Sequence, residues 1–165
     1  QKKFDDTPEP EPGPPLGKVL VIDDDPNIRQ GLETTLKQRN YEVIVTITGQ
    51  QGLYRFTDDV CVVILDVKLP KIDGISLYGQ LKAKRPHVPI IFYSAAGDEE
   101  IAQQCLALNP YAFIEKGVAE DIDRLYALIE KAAQHLSHPD EIEKNGAFHR
   151  APLSGIFDRQ THTDV

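Results

Sequence analysis

Apolar residues recur along this chain in two alternating rhythms. Compact runs at Lys18–Ile22, Tyr41–Ile47, Val60–Leu65, Pro89–Tyr93 and Ala112–Ile114 read as buried strands, because they are short, largely β-branched or aromatic, and bounded by turn signals. Between them the apolar positions return every three or four residues, as on one face of a helix. Ile28, Leu32 and Leu36 follow Pro26, a second helix is expected over roughly Gly49–Thr57, and Leu77 and Leu81 lie within Gly74–Lys84. Ile101, Cys105 and Leu108 share a face of Asp98–Leu108, and Ile122, Leu125, Ile129, Ala132 and Leu136 form one stripe over Ala119–Leu136. Strands alternating with helices in this way predict an α/β domain built on a doubly wound parallel sheet.

The flanks do not share this patterning. Residues 1–16 are rich in proline and acid, a composition that favours extended, solvated chain and reads as a linker or a disordered tail. Residues 17–137 hold the domain, and 138–165 form a polar tail. The chain starts at Gln1 and contains no Met, so a fragment or processed product is expected. An apolar content of 41% and a charged content of 27% are those of an ordinary globular protein, so one core of substantial size is expected from 165 residues. The net charge of -8 opposes general nucleic-acid or anionic-membrane binding. Cys61 and Cys105 fall in apolar contexts and read as small buried hydrophobes of a reducing, cytoplasmic compartment. No apolar run approaches the ~20 residues of a membrane span.

The chemistry collects where the strands end. In an open parallel sheet, ligands bind beyond the carboxyl ends of the strands. The first strand ends in Asp23-Asp24-Asp25, the third in Asp66, the fourth in Ser94 and the fifth in Glu115-Lys116. Capping of the helix that begins at Pro26 accounts for one acid after the first strand, not for three. Adjacent carboxylates repel, and a hard divalent cation such as Mg²⁺ offsets that repulsion.

The motifs Val-Ile-Asp23-Asp24-Asp25-Pro, Leu-Asp66-Val-Lys-Leu-Pro-Lys-Ile-Asp-Gly, Tyr-Ser94-Ala and Phe113-Ile-Glu-Lys116 closely resemble those of the receiver domain of response regulators in two-component signalling. The resemblance implies a flavodoxin-like sheet of five strands in the order 2-1-3-4-5. It further implies a signalling switch rather than a conventional enzyme, in which Asp66 accepts a phosphoryl group from a phosphohistidine. Mg²⁺ (or Mn²⁺) would be held by Asp23, Asp24, Asp66 and the backbone carbonyl of Lys68. Ser94 and Lys116 would bind the phosphoryl oxygens, and Ser94 with Phe113 would switch the face made by the fourth helix, fifth strand and fifth helix. The implied partners are a sensor histidine kinase or a histidine phosphotransfer protein, with a homodimer through that same face and no direct contact with nucleic acid or membrane.

Two positions depart from the family pattern. Gly117 stands where such domains often carry proline, which implies a differently shaped loop after Lys116. Lys68 adds a cation two residues after Asp66 and bears on the lifetime of the phosphoryl group. Either a single-domain regulator or the receiver of a larger protein, such as a hybrid kinase, satisfies the pattern. A receiver-like docking or dimerisation scaffold that is never phosphorylated is the alternative, although a scaffold has no need of the acids, Ser94 and Lys116. An aspartyl-phosphate phosphatase would carry a second acid at the position of Lys68, and a flavodoxin-type binder would need a hydroxyl-rich loop where the three acids stand.

Overall fold

The five apolar runs form the strands and the spaced segments form the helices. The computed structural model describes residues 7–95 and 97–137, so the expected tail at 138–165 and the first six residues of the leader lie outside the described residues. In chain order the elements are β1 (Lys18–Ile22), α1 (Pro26–Gln38), β2 (Glu42–Thr46), α2 (Gly49–Arg55), β3 (Val60–Leu65), α3 (Gly74–Lys84), β4 (Ile90–Ala95), α4 (Glu99–Ala107), β5 (Ala112–Lys116) and α5 (Ala119–Ser137). The sheet is five-stranded and parallel, in the order β2-β1-β3-β4-β5, as the resemblance implied.

Side chains alternate across a strand, and here that alternation builds two cores. Val19, Val21, Val62, Ile64, Ile91 and Ile114 face one side and pack with Leu32 and Leu36 of α1 and with Leu125, Ile129 and Ala132 of α5. Leu20, Ile22, Val63, Leu65, Ile90, Phe92 and Phe113 face the other side and pack with Leu77 and Leu81 of α3 and Ala102 and Cys105 of α4. The central strand β3 is buried along its whole length, whereas β2 at the sheet edge is half exposed. Both cysteines are buried and free, as expected.

The strand-to-helix connections are closed by side-chain caps. Asp25, Thr48, Asp73 and Asp98 each accept a hydrogen bond from a backbone N–H in the first turn of α1, α2, α3 and α4 respectively. These caps all lie at the carboxyl edge of the sheet and fix where each helix begins.

Three sequence expectations are corrected. Strand β4 runs through Ser94 and Ala95 and β5 through Glu115 and Lys116, because Ser94 pairs with Glu115 and Ala95 with Lys116. Polar strand ends do not register in an apolar pattern. Helix α2 stops at Arg55 rather than Thr57, where the side chains of Lys84 and Arg85 take the carbonyls of Leu53 and Thr57. Ile122, placed on the apolar stripe, is 40% exposed. Helix α5 starts at the carboxyl edge, so its first turn lies past the sheet's apolar positions, while Tyr126, Leu128 and Ala133 widen the buried face further along. Among the described residues no helix is long and apolar enough to cross a membrane.

Candidate functional site

Asp23 and Asp66 are carried to the same edge by neighbouring strands. Ile22 of β1 pairs with Leu65 of β3, and the Asp66 N–H donates to the Ile22 carbonyl at 2.9 Å, so both acids leave the sheet side by side. The Asp23 N–H donates to the Thr46 carbonyl at 3.1 Å, which ties this end of β1 to β2 as well. Both carboxylates are buried, at 2% and 5% exposure, and are therefore costly as bare charges. Asp24 stands beside them, exposed, and one carboxylate oxygen from each of the three residues lies within 4.8 Å of the others.

Lys116, at the end of β5, reaches into this group. Its Nζ lies 2.8 Å from Asp23 Oδ2 and 3.3 Å from Asp66 Oδ2, and 5.8 Å from the centre of the Tyr93 ring. Burial alone would lower the pKa of the Lys116 ammonium, but Asp23 and Asp66 outweigh it and the net shift is upward. Asp66 is pushed the other way for an acid. Burial first, and the charge of Asp23 second, raise its carboxyl from 3.8 to about 6 in spite of Lys116. One ammonium is too little compensation for three carboxylates.

That imbalance is what a divalent cation would relieve. The donor set consists of hard oxygens only, as Mg²⁺ requires, and the 4.8 Å limit on their spacing is close to the ~4.2 Å between opposite ligands around an ion with ~2.1 Å bonds. The Lys68 carbonyl, also expected to contribute, accepts no recorded hydrogen bond among the described residues, whereas the Val67 carbonyl before it takes the N–H groups of Leu69 and Gly74. The acidic pocket thus fits the group.

Of the remaining expected residues, Ser94 lies buried at the carboxyl end of β4, one strand over from Asp66. Phe113 pairs in register with Phe92 and is already buried, on the side of the sheet that packs α3 and α4. The side chain of Lys68 is exposed. Gly117 takes φ +84°, a conformation closed to a proline ring, so the loop after Lys116 differs in backbone from the family pattern.

Two structural supports went unread in the sequence. A Cβ on Gly74 would stand 2.2 Å from the Asp66 carbonyl oxygen and 2.7 Å from Val67 Cα, so only glycine lets α3 begin this close to the loop after β3. The Asp73-Gly74 pair signalled a turn but not this approach. The second is Arg29, whose Nη1 donates to the Asp23 carbonyl at 2.9 Å. A lone arginine in a first helical turn carries no such signal.

With this geometry in view, the relatives decide the family. A family model described as the response regulator receiver domain matches residues 19–130. The chain belongs to this family. Its homologues include the DNA-binding transcriptional regulator NtrC of Salmonella typhimurium, 31% identical over 134 residues that make up 79% of this chain and 28% of that protein. Regulatory protein AtoC of Escherichia coli is 27% identical over 128 residues, 77% of this chain and 27% of that one. The chain therefore spans little more than a quarter of the length of these curated relatives. Among solved structures, a response regulator receiver domain from Clostridium thermocellum matches with a TM-score of 0.65 at 30% identity, covering 73% of this chain and 97% of that one. NtrX from Brucella abortus matches with a TM-score of 0.69 at 27% identity, over 78% of this chain and 29% of that one. This is a receiver domain of two-component signalling, with an aspartate cluster at the edge where receiver domains bind Mg²⁺.

Proposed function

We propose that the receiver accepts a phosphoryl group on Asp66 from a phosphohistidine of a sensor kinase or a histidine phosphotransfer protein. A carboxylate oxygen of Asp66 forms the new P–O bond as the P–N bond to the donor imidazole breaks, and the imidazole leaves with the bonding pair. Such transfers need alignment and charge neutralisation more than covalent help from the protein. Mg²⁺ bound by Asp23, Asp24, Asp66 and the Lys68 carbonyl would neutralise charge and fix the in-line approach. Lys116 then moves from pairing carboxylates to pairing the phosphoryl oxygens, and the Ser94 hydroxyl donates to another of them.

The observation that carries this reading is the excess of carboxylate over ammonium, with the Lys116 ammonium shared between Asp23 and Asp66. A scaffold would gain stability by losing those charges. On phosphorylation, Ser94 would be drawn towards Asp66 and the face formed by α4, β5 and α5 would rearrange. Phe113 is inward already, so the new state would hold that ring in place rather than admit it. Partner binding, and dimerisation through this face, would be the output. NtrC and DctD, named as a DNA-binding and a transcriptional regulator, are longer proteins of which the match covers 28% and 23%, and DNA contact is not assigned to the receiver itself.

Intact mass after treatment with acetyl phosphate tests the reading. The expected result is a gain of one phosphoryl group that needs Mg²⁺, is blocked by EDTA and is absent from Asp66→Asn. Folded protein that stays unmodified under all conditions would move the assignment to the docking scaffold.

A further inference from the structure

Asp24 is the exposed member of the acid cluster, and no hydrogen bond or ion pair of its own side chain is recorded among the described residues. An exposed, unpaired carboxylate would sample many directions. Its backbone, however, is held on both sides. The peptide before it is fixed by Arg29, whose guanidinium donates to the Asp23 carbonyl at 2.9 Å. The peptide after it is fixed by the Asp23 carboxylate, which accepts the Asp25 N–H at 2.9 Å. Because each peptide unit is planar, a bond to each restricts the rotations on either side of the Asp24 Cα, and with them the directions open to its Cα–Cβ bond.

The placement of Arg29 is costly unless it has such a role. A cation in the first turn of α1 opposes the positive end of the helix dipole, by ~0.3–1 kcal/mol for a typical surface site. Beside a cluster of acids, a guanidinium would be expected to pair with a carboxylate. Arg29 takes a backbone carbonyl instead, with no carboxylate within ion-pair distance among the described residues. The acid oxygens remain available to Lys116 and to an incoming cation.

We infer that Arg29 is a positioning residue, which orients Asp24 for a divalent cation through the carbonyl of Asp23. This rests on the cation-binding part of the function proposed above and names the residue that prepares it. The sign of the effect separates the inference from plain electrostatics. Removing a positive charge next to an acidic pocket should tighten cation binding if Arg29 acts only as a charge. It should weaken binding if Arg29 acts by orientation, by roughly 10-fold or more, as for other groups that orient metal ligands.

The test is Mn²⁺ binding to the unphosphorylated full chain, followed by electron paramagnetic resonance, for wild type, Arg29→Met, Arg29→Lys and Asp24→Asn, with urea unfolding of each. The expected result is that Arg29→Met stays folded and binds Mn²⁺ roughly 10-fold more weakly, while Arg29→Lys, which keeps the charge without the guanidinium's reach, is also weakened. Binding by Arg29→Met as tight as wild type, or tighter, would overturn the inference while leaving the proposed function intact. A wild type that binds no Mn²⁺, or binds it equally well as Asp24→Asn, would overturn both. Should Arg29→Met be unfolded, the affinity of Arg29→Lys decides alone, and a wild-type value would overturn the inference.

Discussion

The two edges of the sheet handle charge in opposite ways. At the carboxyl edge, Asp23 and Asp66 share one ammonium beside the exposed Asp24, and burial together with the charge of Asp23 lifts the Asp66 carboxyl to about 6. At the amino edge, cationic side chains are matched to backbone carbonyls. Lys82 donates to the carbonyls of Pro86 and Val88, Lys84 to that of Leu53 at the end of α2, and Arg85 to those of Thr57 and Val60. Cations at helix C-terminal ends also suit the dipole. One edge is electrostatically satisfied, and the other is held unsatisfied by the packing of the sheet. The difference teaches where stability and function separate: the proposed acceptance of a cation and an anion calls for a site that is not neutral at rest.

The sharpest way to break this comparison is to damage the satisfied edge and ask whether the other edge notices. In Arg85→Met, the Thr57 and Val60 carbonyls lose a charged donor, the latter at 2.7 Å and part-buried, and the guanidinium leaves the Phe56 ring that it covers at 5.1 Å. Loss of the charge-assisted bond to the part-buried Val60 carbonyl, together with the packing on Phe56, costs on the order of 2 kcal/mol. The expected outcome is a lower urea midpoint at unchanged slope, with Mg²⁺ affinity at the wild-type level. A parallel fall in Mg²⁺ affinity would mean that the edges are not separable.

The converse experiment relieves the unsatisfied edge. In EDTA at pH 7.5, Asp66→Asn should be more stable than wild type, by roughly 1–2 kcal/mol, because it removes a buried charge that the fold disfavours. The pH dependence has a definite sign. A carboxyl raised from 3.8 to about 6 on folding binds protons more tightly in the folded chain, so its favourable contribution is present at low pH and is lost as pH rises through about 6. The advantage of the variant should therefore shrink towards pH 5 and reach its full size above pH 7. Saturating Mg²⁺ should reverse the ranking. An advantage that is independent of pH would show that packing, not charge, separates the two proteins.

How much of this was legible in the sequence follows from what each residue interacts with. The five strands and the convergence of Asp23, Asp24, Asp66, Ser94 and Lys116 on one edge were readable, because burial and polar strand ends leave a periodic or local trace, whereas the strand order came from the family resemblance alone. Ile122 was assigned to the buried stripe of α5 because helical period gives the face of a residue but not whether a sheet extends beneath it. Arg29, Lys84 and Arg85 carried no signal in the sequence, since their partners are backbone carbonyls and any residue type can supply one. Gly74 was read as a turn glycine because the atoms it must avoid, the Asp66 carbonyl and Val67 Cα, are set by the fold.

Asn40 and the leader give the smallest expected effect and the finest test of the amino edge. Residues 1–16 read as a linker or a disordered tail, and at their end the Asn40 side chain donates to the carbonyls of Gly13 and Pro14, while the Asn40 backbone carbonyl accepts the Leu16 N–H at 2.8 Å. Asn40 has φ 69°, a left-handed conformation that asparagine tolerates and glycine adopts more easily. Asn40→Gly therefore keeps the turn between α1 and β2 and removes only the amide group. Global stability should change by no more than about 0.5 kcal/mol, as for other surface substitutions, while amide hydrogen exchange at Leu16 quickens and that of Asp66 stays as it was. Unchanged exchange at Leu16 would mean that the bond from the Glu42 N–H to the Gly17 carbonyl, at 2.9 Å, is enough to hold the leader, and that Asn40 follows the chain rather than directing it.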